Sequence, residues 1–190
     1  MRKFIIGFIV VFSLIVFKAL YFDSSQKKGD FDPAFHIEGN TTATFTLKDT
    51  EGKDYTISQY GDKFVVDGYD NKLVVFNFFA TYCSGCRKEI PMLVDLKKKY
   101  GDKIQIIGVA VDNDLSNDKL KEFKEEFSSN YSMANGSKNN LEWAICSTLP
   151  AGSCNAIPLN ILYTKGQYRL SEKGAGEDLG YIENVISTIP

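Results

Sequence analysis

The sequence predicts an α/β fold in which a mixed central β-sheet is flanked by helices. Three near-continuous apolar runs, at residues 73–80, 104–111 and 159–163, are typical of strands that are buried on both faces. Segments with apolar residues at helical spacing separate these runs. Short hairpins at both ends of the region add antiparallel strands, so the predicted sheet is mixed.

The segment before the first buried run predicts a tether followed by a hairpin. Residues 23–40 are polar and contain glycine and proline, which is typical of a linker. Residues 41–47 alternate and are rich in threonine, so they predict a strand, and an acidic turn leads back into a short strand at residues 55–57. Residues 61–72 predict a loop with room for one short strand around residues 64–66.

Four helices are predicted after the first buried run, at residues 87–100, 118–127, 139–145 and 179–189. Ser116 is the predicted N-cap of the second helix. Pro91 lies inside the first helix and is expected to kink it. Trp143 is expected to pack the third helix against the core. The last strand is predicted at residues 168–170, after a turn.

Length and composition set the broad class of protein. A chain of 190 residues with 44% apolar residues suits one domain with an appendage. A net charge of −2 and the absence of a basic patch interleaved with aromatic residues argue against nucleic-acid binding. The only histidine, His36, lies in the polar linker, which excludes a histidine-based metal site and a Ser–His–Asp triad.

The first 22 residues predict a membrane anchor. A short basic flank precedes residues 4–22, which are apolar apart from Gly7, Ser13 and Lys18. Nineteen helical residues span about 28 Å, which is close to the thickness of one bilayer core. No small-x-small cleavage site follows, so an uncleaved anchor is favoured. A removed signal peptide is the alternative that stays open. The domain at residues 41–190 is then expected on the extracytoplasmic side, where disulfides persist.

Two cysteines in a C-x-x-C spacing, Cys83 and Cys86, follow the first buried strand and precede a helix. The spacing alone is also used by zinc sites and structural bridges, and these alternatives stay open. A position between a buried strand and a helix favours a reversible, redox-active disulfide. We therefore expect no cofactor and no metal.

Residues 74–91 resemble the active-site segment of the TlpA/ResA branch of thioredoxin-fold proteins. Residues 45–53 resemble the opening hairpin of that family, and residues 156–158 resemble its cis-proline loop. The resemblance covers residues 41–190. It implies a thioredoxin-like fold and a membrane-anchored or exported thiol–disulfide oxidoreductase, and many family members are reductants for cytochrome c assembly.

The sequence departs from the family pattern at four places. Tyr82 stands where a tryptophan usually precedes the first cysteine. Asn77 occupies the position of the buried aspartate of thioredoxin, as is common in this branch, and Asn160 replaces a residue that is often threonine. Cys146 and Cys154 are additional cysteines.

The motif and the resemblance together suggest a role for each candidate site residue. Cys83, at the positive end of the helix dipole, is the expected nucleophile, and Cys86 is expected to resolve the mixed disulfide. By resemblance, Glu89 is a buried proton carrier near the thiols, although a solvated helix glutamate is the alternative. Pro158 is expected, also by resemblance, to follow a cis bond that brings the backbone of Ile157 beside Cys83 for substrate binding.

Cys146 and Cys154 lie just ahead of the proline loop. A structural disulfide is the first interpretation, and on the chain-entropy model a loop this short adds roughly 2–3 kcal/mol of stability. Two alternatives stay open. The pair could exchange with Cys83 and Cys86 as a redox relay, or all four cysteines could bind zinc.

The predicted function is reduction of disulfides in exported proteins, with apocytochrome c as one candidate substrate and a membrane electron donor as the expected source of electrons. The opposite direction, an oxidant or isomerase of folding proteins, stays open because the sequence does not fix the reduction potential. A binding module with a static disulfide is the alternative outside enzymology.

Overall fold

The computed structural model describes residues 41–174 and 178–189, which form two β-sheets with helices packed against one of them. The strands of the first sheet are β1 (Ala43–Lys48), β2 (Asp54–Tyr60) and β3 (Lys63–Val66). The strands of the second sheet are β4 (Leu73–Phe79), β5 (Ile104–Ala110), β6 (Ser132–Asn135), β7 (Leu159–Thr164) and β8 (Gln167–Lys173). The helices are α1 (Ser84–Tyr100), α2 (Asn117–Glu126), α3 (Leu141–Ser147) and α4 (Gly180–Ser187).

The second sheet has the strand order β6-β5-β4-β7-β8 and is mixed, as predicted. Its central strand β4 runs parallel to β5 and antiparallel to β7. The end of β4 therefore meets the beginning of β7, with Phe78 opposite Leu159. As a result, the residues that follow β4 and β5 share one edge of the sheet with the residues that precede β7.

Each face of the central sheet is covered by a separate apolar cluster. On one face the cluster includes Ile90 of α1, Leu120 of α2 and Ile182 of α4, all buried. On the other face Ile57 of β2 and Ile145 of α3 pack against the sheet. Strands β4 and β5 are buried along their whole length because both faces are covered, which explains their near-continuous apolar sequences.

The predicted N-terminal hairpin is extended by β3 into a three-stranded antiparallel sheet. Backbone hydrogen bonds tie this sheet to both edges of the central one. Phe64 donates its N–H to the carbonyl of Gly166 in the β7–β8 turn, and Thr50 donates to Met133 of β6. The hairpin is therefore integrated into the domain.

Two features differ from the sequence predictions. Strand β6 was not predicted, since it is only four residues long. The expectation for Trp143 was wrong, because its side chain is 73% exposed. The apolar stripe of α3 is formed by Leu141, Ala144 and Ile145, and a residue two positions after Leu141 lies on the opposite face of a helix.

Within residues 41–174 and 178–189, no helix is long and apolar enough to cross a membrane. The predicted anchor at residues 1–22 and the predicted tether at residues 23–40, which includes His36, lie outside the described residues. Both therefore remain predictions.

Candidate active site

Cys83 and Cys86 lie at the start of α1, at the edge of the sheet where β4 ends. Cys83 is the N-cap residue, and its Sγ accepts a hydrogen bond from the backbone N–H of Cys86 at 3.1 Å. The two cysteines form a disulfide with their Cα atoms 5.3 Å apart. In the reduced protein the same N–H and the helix dipole favour a thiolate at Cys83.

The two sulfurs differ in their access to solvent. Cys83 is partly exposed, whereas Cys86 is 1% exposed and belongs to the apolar cluster beneath α1. Only Cys83 is therefore open to a large substrate. Tyr82, directly before it, is 78% exposed and adds an aromatic side chain to the surface beside the accessible sulfur.

The loop that precedes β7 reaches the disulfide from the other side. The Ile157–Pro158 peptide bond is cis. The carbonyl oxygen of Ile157 lies 3.8 Å from Sγ of Cys83. The structure thus brings Cys83, Cys86, Ile157 and Pro158 together, although 71 residues separate Cys86 from Ile157 in the chain.

Glu89 lies on α1 three residues after Cys86 and is buried, with 2% of its surface exposed, so it is not a solvated helix residue. Its Oε2 accepts from Nδ2 of Asn77 at 3.0 Å, and its Oε1 accepts from Nδ2 of Asn160 at 2.8 Å. Burial raises the pKa of Glu89 from 4.5 to about 7, and the hydrogen bonds from Asn160 and Asn77 oppose that rise. A carboxyl group in this position can give or take a proton near neutral pH.

A second polar group supports the loop before the disulfide, and sequence reasoning missed it. The buried carboxylate of Asp112 accepts from the backbone N–H of Thr81 at 3.0 Å and from its hydroxyl at 2.5 Å. The signal was present in the sequence, since Asp112 directly follows a buried strand that is parallel to β4. Side chains that follow neighbouring parallel strands meet at one edge of the sheet.

Arg87, the residue after the second cysteine, was also missed. Its guanidinium donates to the carbonyl of Thr81 at 3.3 Å and forms an ion pair with Glu126 of α2. It also lies against the rings of Phe123 and Phe127, at 5.3 and 4.9 Å from their centroids. These contacts fix the start of α1 against α2.

Cys146 and Cys154 are joined by a disulfide with their Cα atoms 5.9 Å apart. The bridge connects the last turn of α3 to the loop that leads to Ile157. Both cysteines are partly buried against the cluster that includes Ile145. Among the described residues, no three His, Cys, Asp or Glu side chains are grouped to hold a metal ion.

Residues 39–145 match the AhpC/TSA family. The chain is 36% identical over 72 residues to the thioredoxin-like protein YneN of Bacillus subtilis, a match that covers 38% of this chain and 37% of YneN. It is 30% identical over 136 residues to the thiol–disulfide oxidoreductase ResA of Bacillus cereus, which covers 70% of this chain and 71% of ResA.

Solved structures show the same fold. The crystal structure of a thiol:disulfide interchange protein of the thioredoxin family from Chlorobium tepidum superimposes with a TM-score of 0.60 at 18% identity. The superposition covers 81% of this chain and 98% of that protein. The predicted thioredoxin-like fold is therefore confirmed. With the Cys83–Cys86 disulfide at the start of α1, the chain belongs to the TlpA/ResA-like family of thioredoxin-fold thiol–disulfide oxidoreductases.

Proposed function

We propose that this protein is a membrane-anchored, extracytoplasmic oxidoreductase that reduces disulfides in exported proteins through Cys83 and Cys86. The observation that carries the proposal is the difference in exposure between the two sulfurs at the start of α1. Cys83 is partly exposed and its sulfur accepts the N–H of Cys86, which favours a thiolate, whereas Cys86 is 1% exposed and is bonded to Cys83.

The reaction follows from this arrangement. The Cys83 thiolate attacks one sulfur of a substrate disulfide, so that a mixed disulfide forms and the other substrate sulfur leaves as a thiolate. The Cys86 thiol then loses its proton and attacks Sγ of Cys83. The Cys83–Cys86 disulfide forms, the second substrate thiolate leaves, and two electrons have passed to the substrate.

Glu89 is the proposed acceptor of the Cys86 proton. It is three residues further along α1, which places it one turn away on the same face of the helix. Its raised pKa, about 7, suits a base that works near neutral pH. Three other carboxylates among the described residues are buried, but each lies elsewhere or is already engaged. Asp49 accepts from backbone N–H groups of the β1–β2 turn, Asp70 lies in the loop between β3 and β4, and Asp112 accepts from Thr81.

Ile157 and Pro158 are the proposed substrate-binding residues. The peptide bond between them is cis, and the carbonyl oxygen of Ile157 lies 3.8 Å from the sulfur of Cys83. An extended substrate segment can pair with an exposed stretch of backbone, as in other forms of strand addition. Specificity for one side chain is not required, which suits a reductant of several exported proteins.

The proposed partners follow from this chemistry and from the predicted anchor at residues 1–22. The substrates are exported proteins with disulfides, and an apocytochrome c is a suitable example because its C-x-x-C-H cysteines must be free thiols before haem attaches. Each turnover leaves Cys83 and Cys86 oxidised. A dithiol donor must therefore reduce Cys83 and Cys86 again. We place this donor in the membrane, because the oxidoreductase and its substrates both stay on the extracytoplasmic side.

Trapping of substrates tests the assignment of the two cysteines. In Cys86→Ala the mixed disulfide cannot be resolved, so complexes with substrate proteins should accumulate and dissociate on reduction. Cys83→Ala should trap nothing, because its remaining thiol is buried. Equal trapping by both variants would show that the order of the two thiols is wrong.

A further inference from the structure

The residues around Glu89 form a closed set of hydrogen bonds. Asn77 of β4 and Asn160 of β7 lie directly opposite each other in the antiparallel pair. Their side chains point to the face that α1 covers, where both meet Glu89. Nδ2 of Asn77 also donates to Oδ1 of Asn160 at 2.9 Å, which closes a triangle of three side chains.

The triangle matches an ionised carboxylate and not a neutral acid. Each oxygen of Glu89 faces an amide N–H, so both oxygens act as acceptors. A protonated carboxyl group must also donate one hydrogen bond. In the hydrogen bonds of the triangle neither oxygen of Glu89 donates, so the two amides oppose the burial that otherwise favours the neutral form.

Asn160 is the more firmly fixed of the two amides. One hydrogen of its Nδ2 goes to Glu89, the other goes to the hydroxyl of Tyr181 on α4 at 2.8 Å, and its Oδ1 accepts from Asn77. Oδ1 of Asn77, in contrast, has no partner among the described residues. The orientation of the whole triangle is therefore set by Asn160 and its outer contact with Tyr181.

We propose that Asn160 is a positioning residue that holds Glu89 as a carboxylate, one helical turn from Cys86, ready to take the proton of the resolving thiol. This inference rests on the proposed role of Glu89 as the base. When Glu89 takes the proton from the Cys86 thiol, it loses the charge that the two amide N–H groups favour. The proton is then passed on to the departing substrate thiolate or to water, which restores the carboxylate.

The other titratable groups near Glu89 do not compete with it at neutral pH. Tyr181 faces it from α4 and Tyr131 from the segment before β6, and burial raises the pKa of both tyrosines above the usual value, so both stay neutral. Cys83 and Cys86 lie on its own helix. In the oxidised protein they are joined and do not titrate, so of these five described groups only Glu89 titrates near pH 7.

The experiment uses the oxidised full-length protein with its glutamates labelled with ¹³C at the side-chain carboxyl. The signal of Glu89 is assigned by its loss in Glu89→Gln, and its chemical shift is followed against pH. Two isosteric variants are compared, Asn160→Thr and Asn160→Val. They leave the same space, but only threonine can donate a hydrogen bond to Glu89.

In Asn160→Val we expect the midpoint of the Glu89 titration to rise by about one to two pH units, because one hydrogen bond to the carboxylate is lost. Asn160→Thr should lie between Asn160→Val and the unchanged protein. Equal midpoints in all three proteins would overturn the proposal.

If Asn160→Val does not fold, Tyr181→Phe takes its place, since it removes only the outer contact of Asn160. It should raise the midpoint by a smaller amount, and an unchanged midpoint would again overturn the proposal.

A second measurement separates the positioning role from the proposed function. The reduced proteins are assayed for disulfide reduction against pH, with insulin as substrate and dithiothreitol as electron donor. In Asn160→Val the acidic limb of the pH–rate profile should move to higher pH by the same amount as the midpoint of the Glu89 titration. If the Glu89 midpoint shifts but the pH profile of the rate does not, Asn160 does stabilise the Glu89 carboxylate. Glu89 is then not the base of the reaction, and the catalytic part of the inference is wrong.

Discussion

Asp112 holds the backbone of Thr81, two residues before Cys83, through hydrogen bonds to its buried carboxylate. Its carboxylate oxygens lie 3.1 and 3.0 Å from the N–H of Thr81, and one of them accepts from the Thr81 hydroxyl at 2.5 Å. The contact joins the segment that follows β5 to the segment that follows β4. The position of Cys83 is thereby fixed from the neighbouring strand as well as from its own helix.

Replacement of this carboxylate is expected to loosen the loop. Asp112→Asn keeps the size of the side chain but leaves one acceptor oxygen where there were two, and it places an N–H₂ group against a backbone donor. We expect the free energy of unfolding to fall by about 1.5–3 kcal/mol, as for the loss of a buried hydrogen bond to a charged group. Urea unfolding of the oxidised protein measures the change.

Asp114→Asn is the matched control, because Asp114 is exposed and has a positive φ of 60° that asparagine tolerates well. This control should unfold at the same urea concentration as the unchanged protein. If Asp112→Asn behaves like Asp114→Asn, the contact with Thr81 does not hold the loop in solution.

The raised pKa of Glu89 predicts how stability depends on pH. The pKa is 4.5 in the unfolded chain and about 7 in the folded protein, so the folded state binds more protons between these values. The contribution of Glu89 is therefore fully present below pH 4.5 and is lost as the pH rises through 7. The loss amounts to about 3 kcal/mol.

Glu89→Gln should remove this dependence, since glutamine does not ionise. The quantity compared is the change of the unfolding free energy between pH 4.5 and pH 8. Its absolute value is not compared, because glutamine also puts a donor where Glu89 had an acceptor and so changes the hydrogen bonds with Asn77 and Asn160. Glu122→Gln, which changes an exposed glutamate of α2, is the control and should keep the slope of the unchanged protein. Parallel slopes for all three proteins would contradict the raised pKa.

The central sheet could be predicted from the sequence because its strands are buried on both faces. Val75 and Ile106, for example, lie in near-continuous apolar runs, which are typical of a sheet that is covered on both faces. The cysteine motif could be located because its helix begins at the end of such a run. Trp143 could also have been placed correctly, since Leu141, Ala144 and Ile145 already define the apolar face of α3.

The polar contacts of the site could not be predicted in the same way. Asn77 and Asn160 are 83 residues apart, and their contact depends on the register of β4 against β7. A single asparagine in an apolar strand gives no signal for its partner, since a one-residue change of register would turn it to the other face. Tyr181 joins the network only because α4 packs on the same side of the sheet.

The predicted anchor at residues 1–22 leads to a test of location. The protein should stay with the membrane fraction after extraction with alkaline carbonate, and its N-terminus should lie at or near Met1. After mild reduction of intact cells or spheroplasts, a thiol reagent that does not cross membranes should label Cys83. A soluble protein that begins beyond Phe22 would contradict the anchor, and protection of Cys83 until lysis would contradict the extracytoplasmic side.

The Cys146–Cys154 disulfide is expected to be structural. It closes a loop between α3 and the segment that carries Ile157, and a loop of this length stabilises a protein by roughly 2–3 kcal/mol on the chain-entropy model. The double variant Cys146→Ala/Cys154→Ala should therefore unfold at lower urea concentration by that amount. It should still reduce disulfides, because Cys83 and Cys86 remain in place.

Graded reduction followed by thiol mapping with mass spectrometry separates this role from a redox relay. Cys146 and Cys154 are joined against the apolar cluster that contains Ile145, whereas Cys83 stands beside the exposed Tyr82. A mild reductant should therefore open the Cys83–Cys86 bond first and leave the second bridge closed. The control is the unchanged protein after that first step, whose loss of stability should be limited to the opening of the four-residue Cys83–Cys86 loop, about 2 kcal/mol on the same chain-entropy model. Reduction of both pairs at one potential would favour the relay, and two free thiols in the untreated protein would exclude the bridge.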